Sequence, residues 1–376
     1  MRALVSDRAL MGGVLREGVA VLIDGATIAG VVPAGSVPEG ATIERLRGTL
    51  APGFIDTQVN GGGGVLFNDA PTVEGIAAIG AAHRRFGTTG FLPTLISDDL
   101  ETVRRAMAAV DSAIEAGVPG VLGIHVEGPF LNVERKGIHA ADRIRALDDE
   151  GLAILTAPNR GRVLVTLAPD RVTPDQVAAL VAAGVIVSGG HSNANFAQAM
   201  AAVAAGMRGV THLFNAMSPL GTREPGLVGA ALDSDALTCG IIVDGHHVHP
   251  ATLRIALRCK PRGGLMLVTD AMPSVGADAD SFELQGRRIR VEDGVCKGPD
   301  GTLAGSHLDM ASAVGNAVAM LGISFEEALA MASAAPAAFL GLGAIRGVIA
   351  TGFAADLVLL SAEGTVVRSW IAGQPG

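Results

Sequence analysis

The feature that most constrains the fold of this 376-residue chain is the alternation of apolar, strand-like runs with helical stretches through its middle. Eight such runs follow one another: PGFIDTQ, GFLPTLI, VLGIHVE, VLVTLAP, VIVSGGH, GVTHLFN, LTCGIIVD and LMLVTDA. Helical stretches such as VEGIAAIGAAHRRFG and PDQVAALVAAG lie between most of them. Strands that alternate with helices predict parallel βαβ units. The sequence therefore predicts an α/β fold, a (β/α)8 TIM barrel over residues 51–340.

The two ends of the chain have a different, β-rich character. Residues 1–50 contain the runs ALVSD, VAVLIDGATIAGVV and TIERLRG, which Gly, Asp and Pro turns separate. Residues 341–376 carry Val- and Leu-rich runs around a Glu-Gly turn. We therefore expect a small β-sandwich domain built from both chain termini. The sequence of residues 281–304, SFELQGRRIRVEDGVCKGPDGTLA, predicts a β-hairpin inserted after the eighth strand of the barrel.

Composition excludes several classes of function. The net charge is −9, there is no Tyr and Trp370 is the only Trp, so nucleic acid is not an expected partner. No uninterrupted apolar run reaches roughly 18 residues, so no membrane-spanning helix is expected. The first residues lack the apolar stretch of a secretory signal. Cys239, Cys259 and Cys296 are too scattered for a disulfide framework, and we expect a cytoplasmic protein.

Residues that can bind a metal or move a proton stand at the ends of the predicted strands. Glu127 ends the third strand, His191 the fifth and Asp270 the eighth, and His212 lies in the sixth. In barrels of this kind the active site lies at the C-terminal face of the strands, so these four residues should converge on one rim. Burying each of them costs on the order of several kcal/mol unless it is paired or binds a metal.

The four residues divide into a candidate metal site and a candidate proton carrier. Glu127, His191 and His212 form a His2Glu set, a usual arrangement for catalytic zinc with the fourth position left for water. Iron or cobalt could also occupy such a set. Asp270 lies next in the circle to the first strand and is not an obvious fourth ligand. Its expected role is to take a proton from metal-bound water and pass it to a leaving group.

Two further histidines are interpreted as structural or solvated. His125 shares a strand face with Glu127 but lies one layer deeper in the barrel, so we interpret it as a packed residue. His83 lies in an Arg-rich helix and is expected at the solvent-exposed surface.

Seven motifs, in order, resemble a known family. They are HVEGPFLNVERKGIHA (125–140), GGHSNA (189–194), THLFNAM (211–217), TREPGLVGAAL (222–232), DGHHV (244–248), VTDAM (268–272) and LAGSHLDM (303–310). Together they resemble the N-acetylglucosamine-6-phosphate deacetylase family of the amidohydrolase superfamily. The resemblance covers nearly the whole chain. It implies a metal-dependent hydrolase that releases acetate from N-acetylglucosamine 6-phosphate and leaves glucosamine 6-phosphate.

The resemblance also implies roles for individual residues. The matches to the metal ligands, which would hold one divalent ion per subunit, are Glu127, His191 and His212. Asp270 matches the catalytic acid/base, and His139 matches the histidine that hydrogen-bonds the acetyl carbonyl. The matches to substrate-binding positions are Asn215, Ala216, Arg223, His247 and Leu303.

Arg223 and His247 match residues that bind the phosphate group. The resembling enzymes are homodimers, which implies that these two residues reach the substrate of the neighbouring subunit. The register of DGHHV favours His247 over His246 and His249 for this role. Without the resemblance, Arg223 would be interpreted as a surface residue that is solvated or paired with Glu224.

The chain also departs from the wider superfamily at the end of the first strand. Many amidohydrolases have His-x-His there, which holds a second metal, whereas this chain has Gln58 and Asn60. Neutral amides are poor ligands for a transition metal, so we expect them to orient water or close off that position. The glycines that follow would let backbone approach the site closely. His307 replaces a small polar residue expected in the family, and its effect on the sugar pocket is open.

Two alternatives to the implied activity stay open. The first is an N-acetylgalactosamine-6-phosphate deacetylase, because these motifs do not encode the configuration of one sugar hydroxyl. The second is a noncatalytic, amidohydrolase-like scaffold. A scaffold would need none of the retained residues, which are Glu127, His139, His191, His212 and Asp270.

Overall fold

The computed structural model describes residues 1–376, with 21 strands and ten α-helices. The N-terminal strands are β1 (Arg2–Met11), β2 (Val14–Arg16), β3 (Val19–Asp24), β4 (Thr27–Pro33) and β5 (Thr42–Pro52). The next ten are β6 (Phe54–Val59), β7 (Gly61–Gly62), β8 (Val65–Leu66), β9 (Thr88–Ile96), β10 (Gly123–Glu127), β11 (Arg162–Leu167), β12 (Ile186–Gly189), β13 (Gly209–Val210), β14 (Thr238–Ile241) and β15 (Leu265–Leu267). The last six are β16 (Ser281–Leu284), β17 (Arg287–Glu292), β18 (Val295–Lys297), β19 (Leu357–Leu360), β20 (Val366–Ile371) and β21 (Gln374–Pro375).

Helices follow most of the middle strands. They are α1 (Val73–Arg84), α2 (Leu100–Glu115), α3 (Asp149–Leu155), α4 (Pro174–Ala182), α5 (Phe196–Ala204), α6 (Gly226–Asp233), α7 (Pro250–Cys259), α8 (Met310–Asn316), α9 (Phe325–Ala332) and α10 (Ala334–Phe339). A π-helical turn, Ala317–Leu321, extends α8. None of these helices combines the length and the apolar character needed to cross a membrane.

The eight predicted barrel strands form one parallel sheet, in the order β6-β9-β10-β11-β12-β13-β14-β15. A parallel bridge between Val59 and Ala271 joins β6 to the segment after β15 and closes the barrel. Strands such as β9 and β10 are buried along their whole length, as expected when helices cover a parallel sheet. The predicted TIM barrel is confirmed. Because β13 has only two residues, His212 follows the sixth strand instead of lying in it.

The two chain termini meet in one mixed sheet, which confirms the predicted terminal β domain. Its strands follow the order β21-β20-β19-β5-β1-β3-β4, and β2 pairs with β1. Trp370 is fully buried among apolar residues from both ends of the chain. The domain boundary after residue 50 stays a prediction, and β5 continues across it to Pro52.

Residues 281–297 form a three-stranded antiparallel sheet, β16-β17-β18, that we call the insertion sheet. It has a small core of its own, which also includes residues from loops around the barrel mouth. This core comprises Leu66, Ile96, Ile138, Met272, Leu284, Ile289, Cys296 and Ala304. The insertion sheet therefore packs against the residue that precedes His139.

His83 is buried, so the expectation of a solvated histidine was wrong. It lies on the face of α1 that also buries Ile76 and Ile79, and its Nε2 is 2.9 Å from the carbonyl oxygen of Gly61. A Cβ on Gly62 would lie 2.8 Å from the same ring nitrogen. The glycines after β6 therefore make room for His83 beneath the barrel mouth.

Candidate active site

A cavity of about 390 Å³ opens at the C-terminal ends of the barrel strands. Nine of the ten residues singled out from the sequence line it: Glu127, His139, His191, His212, Asn215, Ala216, His247, Asp270 and Leu303. The tenth, Arg223, is exposed on the loop before α6 and does not line it. Residues from seven separate segments thus meet at one rim.

Three of the strand-end residues have left-handed backbone conformations. The φ angles are 47° at His191, 33° at His212 and 53° at Asp270. Such conformations are uncommon outside glycine and cost on the order of 1–3 kcal/mol each. Each residue comes two or three positions after its strand ends, where the chain turns sharply at the mouth of the barrel. The fold therefore holds these three side chains in place at a local energetic cost.

Glu127, His191 and His212 bring three ligand atoms into contact. Oε1 of Glu127 is 3.1 Å from Nε2 of His191 and 3.0 Å from Nε2 of His212. The two Nε2 atoms are 3.0 Å apart. Burial opposes ionisation of Glu127, but the two imidazoles lower its pKa well below the usual range. Glu127 is therefore an anion at the centre of the cluster.

The tautomer of His191 tests whether this cluster fits a metal. Its Nδ1 is 2.8 Å from the carbonyl oxygen of Arg135, which can only accept a hydrogen bond. Nδ1 therefore carries a hydrogen, and Nε2 is the ring nitrogen that faces the carboxylate of Glu127. A ring nitrogen and a carboxylate oxygen at this distance share a cation, either a proton or a divalent metal. The donor set fits a divalent metal, and the Arg135 carbonyl supplies the outer hydrogen bond that metal-binding histidines usually make.

His139 has the opposite tautomer. The backbone N–H of Ser97 donates to Nδ1 of His139 at 3.2 Å, and the Ser97 hydroxyl lies 2.8 Å from the same atom. Nδ1 is therefore an acceptor, and Nε2 carries the hydrogen. Burial lowers the pKa of His139 to about 3, so the ring is neutral. It offers the cavity an N–H donor.

This tautomer separates two possible metal-binding sets. Ligand atoms of Glu127, His139 and His191 lie within 4.8 Å of one another and could also hold an ion. However, a nitrogen that carries a hydrogen cannot coordinate a metal, whereas Nε2 of His212 is 3.0 Å from both other ligand atoms. The geometry favours His212 as the third ligand and His139 as a hydrogen-bond donor.

Asp270 is held by the two carboxamides at the end of β6. Gln58 Nε2 donates to Asp270 Oδ1 at 3.1 Å and Asn60 Nδ2 donates to the same oxygen at 2.6 Å. Gln58 Nε2 also donates to Oε2 of Glu127 at 3.1 Å. Burial, together with the charge of Glu127, raises the pKa of Asp270 to about 6. The hydrogen bonds from both side-chain amides go to Oδ1, so Oδ2 keeps its lone pairs for proton transfer.

His247 also lines the cavity. Its Nδ1 donates to Oδ2 of Asp244 at 2.5 Å, and Asp244 Oδ1 accepts the backbone N–H groups of His246 and His247. Burial opposes ionisation of Asp244, but these hydrogen bonds lower its pKa to about 2. His246 is exposed, and His249 caps the first turn of α7. Of the three neighbouring histidines, only His247 lines the cavity.

Three further residues that the sequence analysis discussed lie outside the reacting cluster. Arg223 is exposed, and Glu224 accepts backbone N–H groups of Phe196 and Gly226 instead of pairing with it. His125 is buried, with its Nε2 2.7 Å from the Thr166 hydroxyl and away from the cavity. His307 lies outside the cavity lining, with its Nδ1 3.0 Å from the hydroxyl of Ser274.

Sequence reasoning did not identify Ser97 or Asp244. Ser97 follows β9 in an unremarkable Ile-Ser-Asp stretch, and no sequence signal connects it with His139. Asp244 begins the DGHHV motif and stands three residues before His247, so its spacing could have indicated a carboxylate partner.

Comparison with known proteins identifies the family of the chain. The amidohydrolase family model matches residues 49–375. An N-acetylgalactosamine-6-phosphate deacetylase from Shewanella sp. (strain ANA-3) is 44% identical, covering 99% of this chain and 95% of the relative. An N-acetylglucosamine-6-phosphate deacetylase from Haemophilus influenzae is 36% identical, and the match covers 96% of this chain and 95% of the relative. The crystal structure of N-acetylglucosamine-6-phosphate deacetylase from Pasteurella multocida superposes with a TM-score of 0.96 at 36% identity, covering 100% and 99%.

Proposed function

Because the chain belongs to the amidohydrolase family, we propose that it hydrolyses N-acetylglucosamine 6-phosphate to glucosamine 6-phosphate and acetate. The resemblance found in the sequence motifs is confirmed at the level of the family. One observation carries the proposal. A carboxylate–imidazole cluster, a neutral histidine N–H donor and a second carboxylate meet in one cavity. A noncatalytic scaffold would not need this combination.

We propose that one zinc ion per chain is held by Glu127, His191 and His212. A carboxylate and two imidazole nitrogens are a usual donor set for catalytic zinc, with iron or cobalt as alternatives. When bound, the metal would lower the pKa of a water molecule and polarise the acetyl carbonyl. The hydrogen bond from His191 to the Arg135 carbonyl supports this set, since it fixes the ring with Nε2 toward Glu127.

Two side chains would carry the remaining chemistry. His139 would donate its Nε2 hydrogen to the acetyl oxygen, which becomes negative as water adds to the carbonyl carbon. Asp270 would take the proton that the attacking water loses and return it to the sugar nitrogen as the carbon–nitrogen bond breaks. The amides of Gln58 and Asn60 would keep its carboxylate oriented throughout.

A second candidate substrate is N-acetylgalactosamine 6-phosphate. It is favoured by the 44% identity to the Shewanella enzyme, compared with 36% to the Haemophilus one. The two sugars differ in one hydroxyl configuration and present the same acetamide and phosphate. Both candidates therefore use the same reacting groups.

A substrate comparison tests both candidates. Acetate release by the zinc-loaded protein is measured with each sugar phosphate and with unphosphorylated N-acetylglucosamine, using Asp270→Asn as the background control. A higher kcat/KM for the gluco epimer supports the first proposal, and the reverse order supports the second. Absence of acetate release from both sugar phosphates would reject the proposed function.

We also propose that the functional unit is a cytoplasmic homodimer in which Arg223 reaches the phosphate in the neighbouring site. His247 lines the cavity of its own chain, so the expectation that it also acts across the interface is not kept. Support comes from the exposed position of Arg223, because a guanidinium on a surface loop is available to another subunit. Arginine provides a planar fork that matches phosphate oxygens. The cytoplasmic location agrees with three cysteines that form no disulfide.

A further inference from the structure

The turn between β16 and β17 places one side chain of the insertion sheet against the loop that carries His139. Gln285 donates from Nε2 to the carbonyl oxygen of Ser97 at 2.8 Å. Its Oε1 accepts the backbone N–H of Ala140 at 3.1 Å. We propose that Gln285 is a positioning residue for His139. The proposal rests on the function proposed above, because it assigns His139 a role in that reaction.

Gln285 contacts both supports of the His139 ring. Ala140 directly follows His139 in the chain, so its backbone N–H fixes the main chain on one side of the ring. Ser97 provides the N–H and the hydroxyl that hold Nδ1 of His139, and its carbonyl is the group that Gln285 binds. A single amide therefore joins the main chain of His139 to the residue that sets its tautomer.

A second contact from the same sheet acts on the other side of the ring. Arg287, two residues after Gln285, donates a hydrogen bond to the carbonyl oxygen of Ile138. Ile138 also packs into the small core of the insertion sheet. The loop itself contains only two short 3₁₀ turns, Val133–Arg135 and Ala141–Arg143, so it has little regular structure of its own. The insertion sheet supplies the order that this loop lacks.

The backbone conformation at position 285 does not favour glutamine, so the side-chain contacts of Gln285 account for this residue. Leu284 pairs with Arg287, so Gln285 and Gly286 form a two-residue turn with φ angles of 49° and 75°. Such turns favour Asn, Asp or Gly at the first position, and glutamine is strained there. The other turn of the sheet has the favoured Asp293, with a φ of 52°.

Glutamine also meets the chemical requirement of the position. The carbonyl of Ser97 needs a donor and the N–H of Ala140 needs an acceptor, and a carboxamide provides one of each. Asparagine has the same amide but is one methylene shorter, so it cannot keep both hydrogen bonds from the same backbone position. Glutamate keeps the length but loses the donor.

The test compares Gln285→Asn with Gln285→Glu and with the matched control Asp293→Asn in the other turn. In the zinc-loaded enzyme, we expect both Gln285 variants to lower kcat roughly 10- to 100-fold. The reason is that moving a catalytic group by about 1 Å can lower the rate about 100-fold. KM for N-acetylglucosamine 6-phosphate and metal content should stay unchanged. Asp293→Asn should leave all three quantities unchanged.

A spectroscopic measurement separates positioning from general stability. In ¹⁵N-histidine-labelled protein, the His139 ring should show one protonated Nε2 and one unprotonated Nδ1, with the assignment made from His139→Gln. Both Gln285 variants should convert this pattern to a mixture of tautomers. Because asparagine suits the turn, Gln285→Asn should keep the wild-type melting temperature or raise it.

Each outcome decides one question. If kcat and the His139 resonances stay at wild-type values in both Gln285 variants, the positioning role is rejected. The role is also rejected if only the melting temperature falls. If the wild-type enzyme releases no acetate, the proposed function fails, and the ¹⁵N pattern still decides whether Gln285 fixes His139.

Discussion

The candidate catalytic residues in the cavity are held by contacts within one chain, whereas Arg223, which we propose binds the phosphate, lies exposed on a surface loop outside the cavity lining. Glu127, His191, His139 and Asp270 all have partners that fix their orientation. Of the two residues that we propose bind the phosphate, only His247 has such a partner, Asp244. The chemistry therefore needs one folded chain, whereas substrate capture depends on loops and, by our proposal, on a second subunit.

The largest expected effect comes from removing the metal site. Protein purified without added metal should contain about one equivalent of metal per chain. The His212→Ala variant should lose most of this metal and most of the activity. His139→Gln should keep the metal but lower kcat roughly 10²–10³-fold, as expected when an oxyanion donor is removed. Elemental analysis and acetate release check both variants.

Two results would contradict this division of roles. If His139→Gln lost the metal and His212→Ala kept it, the alternative set that includes His139 would be correct. A second, well-occupied metal bound at Gln58 and Asn60 would contradict the single-metal proposal.

The next effect is on proton transfer. Asp270→Asn keeps an oxygen that can accept from Gln58 and Asn60, so fold and metal content should survive. The amide cannot take a proton from water, and kcat should fall roughly 10²–10⁴-fold. Steady-state kinetics with parallel metal analysis measures this. Loss of the metal from the variant would identify Asp270 as a ligand instead.

How much could be predicted from the sequence also differs between regions of the molecule. Alternating strands and helices predict the barrel, and the C-terminal face rule then brings Glu127, His191, His212 and Asp270 together. These predictions depend on patterns that repeat along one chain. The buried position of His83 was predictable in principle, because it lies seven residues after Ile76 and shares its helix face.

Other features depend on contacts that no local pattern encodes. The tautomers of His139 and His191 are set by Ser97 and by the Arg135 carbonyl, which lie 42 and 56 positions away in the sequence. The role of Gln285 depends on a strained turn that its sequence does not favour. Such contacts are products of the folded state, so reasoning from the sequence alone cannot supply them.

A smaller effect on KM tests whether Arg223 binds the phosphate group of the substrate. Hydrogen bonds to a charged group contribute roughly 1.5–3 kcal/mol, so Arg223→Ala should raise KM for the phosphorylated sugar about 10- to 100-fold. KM for the unphosphorylated sugar should change much less. Initial-rate kinetics with both sugars measures the difference.

Mixed dimers show whether Arg223 acts across the interface. When Arg223→Ala and Asp270→Asn chains are combined, a trans arrangement gives one site with both defects and one with neither, and activity should return. If mixed dimers show no recovery, Arg223 serves its own subunit.

The smallest expected effect concerns the partner of His247. Asp244 is an anion that accepts the Nδ1 hydrogen of His247, and this charged hydrogen bond fixes the orientation of the imidazole ring. In Asp244→Asn, the amide oxygen can still accept the backbone N–H groups of His246 and His247, so the loop should keep its shape. The amide nitrogen would then face Nδ1 and donate to it, so the ring hydrogen would lie on Nε2.

That ring could still donate from Nε2 to a phosphate, but it would lose the charged hydrogen bond that orients it. Charged hydrogen bonds exceed neutral ones by about 1 kcal/mol, so KM for the sugar phosphate should rise only about 5- to 10-fold, with kcat unchanged. Asp244→Ala is the comparison variant. It leaves two backbone N–H groups without their acceptor, so it should raise KM further and lower the melting temperature. An unchanged KM in Asp244→Asn would exclude His247 as a phosphate-binding residue and leave that role to Arg223 alone.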